Sequence, residues 1–242
     1  MNITVIFAGG TGQRMSIATK PKQFLELHGK PIIVYTLEKF QKHPEIDGII
    51  VVCLASWIDY CKELVAKYGL TKVSAVIAGG ETGQQSIYNG LAKTAELYDE
   101  NSVVLIHDGV RPLVAAETIT NAIACAKENG SAVVVSPAIE TIAVKSETAE
   151  VKQIMDRSSC QLVKAPQCFV LKDILSVHKQ AKTEGKENDF IDSASLMRNY
   201  GHKVYTVEGA AENIKITTPI DFYMFKAIID AQENSDVFGA EK

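Results

Sequence analysis

A short apolar run at the start of the chain ends in Ala8-Gly9-Gly10-Thr11-Gly12-Gln13-Arg14-Met15. Three glycines directly after a strand let the backbone approach a ligand closely and aim N–H groups at phosphate oxygens. On the glycines alone, a phosphate cradle and a plain strand-to-helix turn are equally good readings. Two familiar phosphate motifs fail on spacing. A P-loop needs a Lys-Ser/Thr pair after its last glycine, and none follows Gly12. A dinucleotide fingerprint begun at Gly10 needs a third glycine where Met15 stands. What decides for the cradle is the pair of cations downstream, Arg14 and then Lys22 within Lys20-Pro21-Lys22-Gln23-Phe24. A single lysine is usually a solvated surface charge. Arg14 offers a rigid fork for phosphate oxygens and Lys22 a point charge, and together with the turn they suit a triphosphate.

These residues need a frame, and the hydrophobic pattern supplies one. Short runs rich in Val, Ile and Leu at Ile3–Ala8, Gly48–Leu54, Val73–Ala78, Val103–His107 and Ala132–Ser136 alternate with amphipathic stretches. Helices are predicted near Pro31–Gln41, Trp57–Tyr68, Gln84–Tyr98 and Ala116–Asn129. That alternation predicts βαβ units and a mostly parallel sheet covered on both faces. After Pro137 the period changes: Ile139–Lys145 and Val151–Met155 alternate apolar and polar residues around the turn SETAE, the pattern of an exposed hairpin. A strand is then predicted near Cys168–Leu171, helices at Lys172–Thr183 and Ile191–Tyr200, strands at Lys203–Val207 and Asn213–Thr217, and a helix from Pro219. The last ten or so residues read as a loose tail.

With 242 residues and no repeat or linker, residues 1–242 are expected to form one domain. The chain is 46% hydrophobic and 22% charged with a net charge of −4, which argues against a nucleic-acid binder. No run approaches the roughly 18 apolar residues that span a bilayer, and no leader is read at the N-terminus, so a cytoplasmic address without membrane contact is expected. The five cysteines lack CxxC spacing and read as reduced thiols. His107 reads as a packed sheet-end residue, and His28, His43, His178 and His202 show no ligand spacing.

AGGTGQRM followed by PKQFLELHGKPIIVYTLEKF resembles the start of the alditol- and erythritol-phosphate cytidylyltransferases. The resemblance continues, in the family's order, through GGETGQQSIYNG (79–90), HDGVRP (107–112), ETIAVK (140–145), MDRSSC (155–160), APQCF (165–169), DSAS (192–195) and ENIKITTP (212–219). It covers nearly the whole chain. It implies a Rossmann-like α/β fold of the nucleotide-diphospho-sugar transferase type, with the hairpin at 139–156 as a dimerisation arm.

The resemblance also implies roles. Ala8, Gly9, Gly10, Thr11 and Gly12 would cradle the nucleotide, and Gly80 and Ser86 would contact cytosine and ribose. Asp108, at the C-terminal end of a strand, would serve ribose or the Mg²⁺ environment, with a helix cap as the competing reading. Arg111, Thr141 and Arg157 would face the acceptor's phosphate, Thr141 and Arg157 across a homodimer. Arg14, Lys22 and Lys215 would surround the α-phosphate of CTP as an acceptor phosphate oxygen attacks it in line and pyrophosphate leaves. Two anions must meet, so the task is screening and positioning, with Mg²⁺ bridging the triphosphate oxygens. Two positions depart from the family pattern. Glu81-Thr82-Gly83 stands where many relatives carry Asp-Arg, and Ala165 stands where a threonine is usual.

Within the family, AGG in the first turn, the IYNG run and KITTP resemble the ribitol 5-phosphate branch more closely than the 2-C-methyl-erythritol 4-phosphate branch. Ribitol 5-phosphate is therefore the expected acceptor and the methylerythritol phosphate the runner-up. A hexose 1-phosphate nucleotidyltransferase would share the first turn but lacks NIKITTP and is usually longer. A non-catalytic nucleotide binder has no need of Arg14, Lys22 and Lys215. An NAD enzyme has only the fold class in its favour.

Overall fold

The computed structural model describes residues 1–10 and 20–238. In chain order the elements are β1 (Asn2–Ala8), β2 (Glu26–Leu27), β3 (Lys30–Pro31), α1 (Ile32–Lys42), β4 (Gly48–Cys53), α2 (Ile58–Lys67), β5 (Val73–Ala78) and α3 (Gly83–Leu97). There follow β6 (Val103–Asp108), α4 (Ala116–Asn129), β7 (Ser131–Pro137), β8 (Ala143–Lys145), β9 (Val151–Ile154), β10 (Gln161–Val170), α5 (Leu171–Thr183), α6 (Ser193–Asn199), β11 (Thr206–Glu208) and α7 (Pro219–Phe238).

Among the described residues, one seven-stranded sheet runs β11-β7-β10-β6-β1-β4-β5, with β10 antiparallel to its neighbours and the other pairings parallel. Alternate residues of β1 enter two cores. Ile6 and Ala8 pack with Leu37 and Phe40 of α1, and Ile3 and Val5 pack with Ile87 and Leu91 of α3. Both faces of the central strands are covered, which is why β4 and the first four residues of β6 read as unbroken apolar runs. Gly90 lets α3 lie close on the sheet: a Cβ there would stand 2.4 Å from Val5 Cγ1 and 2.9 Å from Val52 Cγ2. A third core packs Ile216 against Phe225, Val110 and Leu113, and so fastens the segment before α7 over the loop that follows β6.

The chain leaves β1 toward β4 on one side, while β6 lies on the other. The C-terminal ends of β1 and β6 therefore flank the point where strand order reverses, the place where open α/β sheets bind ligands. Phe7 is paired with Asp108 there.

Five expectations change. The strand expected at Lys203–Val207 is shorter and lies later, at Thr206–Glu208. Asn213–Thr217 is not a strand: Ile216 N–H bonds the Val110 carbonyl at 2.9 Å, but buried Asn213 and Ile216 anchor the segment through side chains rather than a ladder. The strand expected at Cys168–Leu171 begins at Gln161, because a shift of register between Val163 and Gln167 absorbs Pro166, a residue that otherwise argues against a central strand. The hairpin is shorter than its alternating pattern, with all of β8 and β9 exposed. Of the expected loose tail, the part up to Phe238 is helix, since α7 continues to that residue, and the last four residues lie outside the described residues.

Candidate active site

Ala8, Gly9 and Gly10 emerge from β1 at the reversal point. The Ala8 carbonyl accepts from the Gln23 side-chain amide at 2.6 Å, and Gln23 is buried. Gln23 belongs to the single helical turn Lys22–Phe24, pinned by Phe24 stacking on Trp57 at 4.7 Å between ring centres and meeting Tyr60 edge-on. This turn brings Lys22 against the glycines, its Cε 3.8 Å from where a Gly10 Cβ would stand. Thr11, Gly12 and Arg14 lie outside the described residues.

Gly79 and Gly80 close the other side. Gly79 N–H bonds the Cys53 carbonyl at 2.8 Å, and Gly80 N–H donates to Ser86 Oγ at 3.1 Å. Ser86 in turn donates to the Thr82 carbonyl at 2.9 Å, so its hydroxyl fixes the turn. A Cβ at Gly79 would come within 2.7 Å of that hydroxyl, closer than a side chain can stand without a shift, and one at Gly9 would be 3.3 Å from it, a tight contact. Thr82 caps α3 by accepting from Gln85 N–H and donates to the Asn188 side chain at 2.7 Å. Gln84 reaches the Phe190 carbonyl at 3.2 Å. The start of α3 is thereby tied to the loop between α5 and α6.

Asp108 ends β6 and is buried. Its Oδ2 accepts from Arg111 Nε at 2.8 Å and its Oδ1 from Lys215 Nζ at 2.5 Å. Burial pushes its pKa up, but the charges and hydrogen bonds of Lys215 and Arg111 outweigh that and hold the carboxyl below its usual range. Arg111 also donates through Nη1 to the Asn213 carbonyl at 2.9 Å. His107 is buried, and burial lowers its pKa to about 4, leaving it neutral at pH 7. It contacts the Arg111 carbonyl at 3.1 Å and so steadies the turn from Asp108 to Arg111.

The result is one cleft with two chambers. Gly9, Gly10, Lys22, Gly80 and Ser86 line the first. Arg111, Lys164, Gln167, Asn188, Asp192 and Ser193 line the second. Phe7, Thr82, Gly83, Asp108 and Lys215 line both. Thr141 and Arg157 line neither; both are exposed at the root of the hairpin, where Arg157 donates to the Ile139 carbonyl at 3.0 Å. Gln23, Lys164 and Asn213 are among the participants not singled out from the sequence. Gln23 adjoins Lys22 and Asn213 lies within the ENIK run, but Lys164 carries no local signal at all.

A divalent cation has one buried carboxylate available here, Asp108, and both of its oxygens already accept from cations. That donor set does not make a protein cage, but it fits an ion held mainly by the phosphates of a nucleotide. Elsewhere His28, Asp230 and Glu233 bring ligand atoms within 4.8 Å, yet Asp230 already accepts from His28 and Lys226. Among the described residues no helix is long and apolar enough to cross a membrane.

The family model described as 2-C-methyl-D-erythritol 4-phosphate cytidylyltransferase (IspD) matches residues 2–231. A ribitol-5-phosphate cytidylyltransferase from Vibrio parahaemolyticus is 56% identical over 239 residues, 99% of this chain and 100% of that protein. A 2-C-methyl-D-erythritol 4-phosphate cytidylyltransferase from Clostridium acetobutylicum is 40% identical over 230 residues, 95% of this chain and 97% of that one. The crystal structure of 4-diphosphocytidyl-2C-methyl-D-erythritol synthase from Anaerococcus prevotii superposes with a TM-score of 0.80 at 27% identity, covering 95% of this chain and 96% of that one.

Proposed function

The chain belongs to the 2-C-methyl-D-erythritol 4-phosphate cytidylyltransferase family, and we infer that it transfers CMP from CTP to D-ribitol 5-phosphate, giving CDP-ribitol and pyrophosphate. The observation that carries this reading is the pair of chambers meeting at Asp108 and Lys215. One chamber has glycine backbone and a lysine, as a nucleotide requires. The other has two further cations beside polar side chains, as a phosphorylated polyol requires. The preference for ribitol over methylerythritol rests on identity of 56% against 40% over nearly the same length.

The mechanism follows from charge. CTP lies along Ala8–Gly10 with its triphosphate toward Lys22 and, in this reading, Arg14. The acceptor's phosphate enters beside Arg111. One of its oxygens forms a bond to the α-phosphorus, and the bond from that phosphorus to the bridging oxygen of pyrophosphate breaks in line. Lys215 stands at the junction and neutralises charge on the five-coordinate phosphorus. Asp108 aligns Lys215 and Arg111 and would supply a buried carboxylate to a Mg²⁺ carried by the nucleotide. When bound, Mg²⁺ offsets the charge of the β- and γ-phosphates and so improves the leaving group. No covalent intermediate is needed. A cytoplasmic address goes with this reading.

The test is pyrophosphate release with CTP and Mg²⁺, comparing ribitol 5-phosphate with 2-C-methyl-erythritol 4-phosphate. Ribitol 5-phosphate is expected to turn over with the higher kcat/KM, and Lys22→Ala to lower it by about 10²-fold or more. A preference for the methylerythritol phosphate would reassign the branch. CTP binding with no pyrophosphate from either acceptor would leave a non-catalytic nucleotide binder.

The reading extends to a homodimer of single-domain chains joined by the arm at 139–156. An isolated two-stranded hairpin is marginal in water, and this one with its root exposes Ile139, Val151, Ile154, Leu162 and Val163, from 48% to 74% of each. A second copy covering those side chains would bring Thr141 and Arg157 toward its own cleft. Light scattering at micromolar concentration is expected to give twice the chain mass, and Ile154→Asp to give monomer. A wild-type monomer removes the proposal.

A further inference from the structure

We propose that Lys164 binds the phosphate of the acceptor, forming with Arg111 a two-cation seat in the second chamber; this rests on the cytidylyl-transfer reading given above. Lys164 is half-buried near the end of the exposed part of β10, just before the strand enters the core. Its ammonium donates to the Ala211 carbonyl at 2.8 Å and to the Asn213 carbonyl at 3.4 Å. Arg111 Nη1 donates to that same Asn213 oxygen at 2.9 Å. A guanidinium and an ammonium thus meet at one carbonyl, facing one chamber.

The charges there do not cancel among the described residues. Arg111 and Lys215 share the single buried carboxylate of Asp108. Among the described residues Lys164 has no carboxylate within ion-pair distance, and Glu212 acts on it only from farther away. Burial, and then the nearby Arg111 charge, lower its pKa, and a bound anion would oppose both effects. A lysine that served only to pin the 211–213 segment has no reason to sit beside an arginine. A phosphate dianion offers oxygens to both groups at once. Lys164 is then a binding residue whose effect falls on acceptor affinity, while Lys215 carries the chemistry.

Asn213 holds the arrangement together. It is buried, its amide donates to the Ala165 carbonyl at 2.7 Å, and its own carbonyl takes both cations. The register of β10 is therefore locked to the position of Arg111. The seat can be lost by removing one charge without disturbing that frame.

Lys164→Gln, which keeps length and polarity but removes the charge, is compared with wild type for KM of each substrate and for kcat. Charge-assisted hydrogen bonds to an anion correspond to a rise in acceptor KM of about tenfold to a hundredfold. The KM for CTP should stay within about twofold and kcat within about threefold, and Lys164→Arg should restore most of the acceptor affinity. Inorganic phosphate, competing with the acceptor, should inhibit wild type and lose potency in Lys164→Gln by a similar factor. A purely structural lysine predicts otherwise: kcat and both KM values would move together and phosphate inhibition would persist, which overturns the proposal. So does an unchanged acceptor KM while wild type turns over. If wild type releases no pyrophosphate with either acceptor, the parent reading fails, and this assignment with it.

Discussion

Lys215→Ala is expected to lower kcat by about 10²–10³-fold while CTP affinity changes only a few-fold. The size follows from what a fixed charge gives to a transition state that gathers negative charge, by analogy with the loss of one oxyanion-hole donor. Lys215 is the cation among the described residues that lines both chambers, so in the proposed reaction it stands where the acceptor's phosphate meets the α-phosphate. Its backbone is well held: Ile216 is fully buried next to it and bonds Val110. Its ammonium is aimed by Asp108 Oδ1. Such preorganisation means that little reorganisation is left to the moment of reaction. The ground-state complex gains less from this charge than the five-coordinate phosphorus does, so the loss should fall on kcat. Single-turnover measurements separate chemistry from product release. Lys215→Arg should recover only part of the rate, because a planar fork does not reproduce a point charge. An unchanged single-turnover rate in Lys215→Ala would reduce Lys215 to a counter-ion for Asp108.

The parts of this site that were legible in the sequence are those set by local chemistry. The glycines after β1 and before α3, the alternation of the strands, and the cations of the KPKQF and NIKITT runs are all visible as residue type and spacing. What stayed hidden depends on partners far along the chain. Lys164 looks like any solvated lysine until residues 47 and 49 positions later supply its carbonyls. Asn213–Thr217 has the apolar alternation of a strand, yet its inward residues fill a pocket between α7 and the loop after β6, and tertiary packing overrides pattern. Pro166 hid the first half of β10, because a register shift that accommodates proline has no signature in hydropathy. Helix persisted where a tail was expected, since nothing between Pro219 and Phe238 breaks it. The placing of Thr141 and Arg157 outside the cleft of their own chain is likewise a property of the hairpin's direction.

Asp108→Asn should separate the stabilising part of the site from its catalytic part. The substitution keeps shape and removes the charge that Arg111 and Lys215 share. Taking one partner from a buried ion pair typically costs about 3–5 kcal/mol. Here Lys215 is 44% exposed and can turn to water, so the loss should be nearer 2–3 kcal/mol, or a Tm lower by roughly 4–12 °C for a chain of this size. The folded-state pKa of Asp108 lies below its ordinary value, so its contribution is fully present above the unfolded carboxylate pKa of about 3.9 and is lost as pH falls through the folded value. The Tm gap between wild type and Asp108→Asn should therefore be widest above about pH 5 and close in acid. His107 also titrates low, near 4, and the Asp108 charge raises that pKa, so the gap is read in a His107→Gln background, where this titration is removed from both proteins. Activity should fall by about 10²-fold or more at pH 7, because Lys215 loses its aim even though its charge remains. If the Tm gap is absent at pH 7, or widens as pH falls, Asp108 is not the anion that holds these two cations in place.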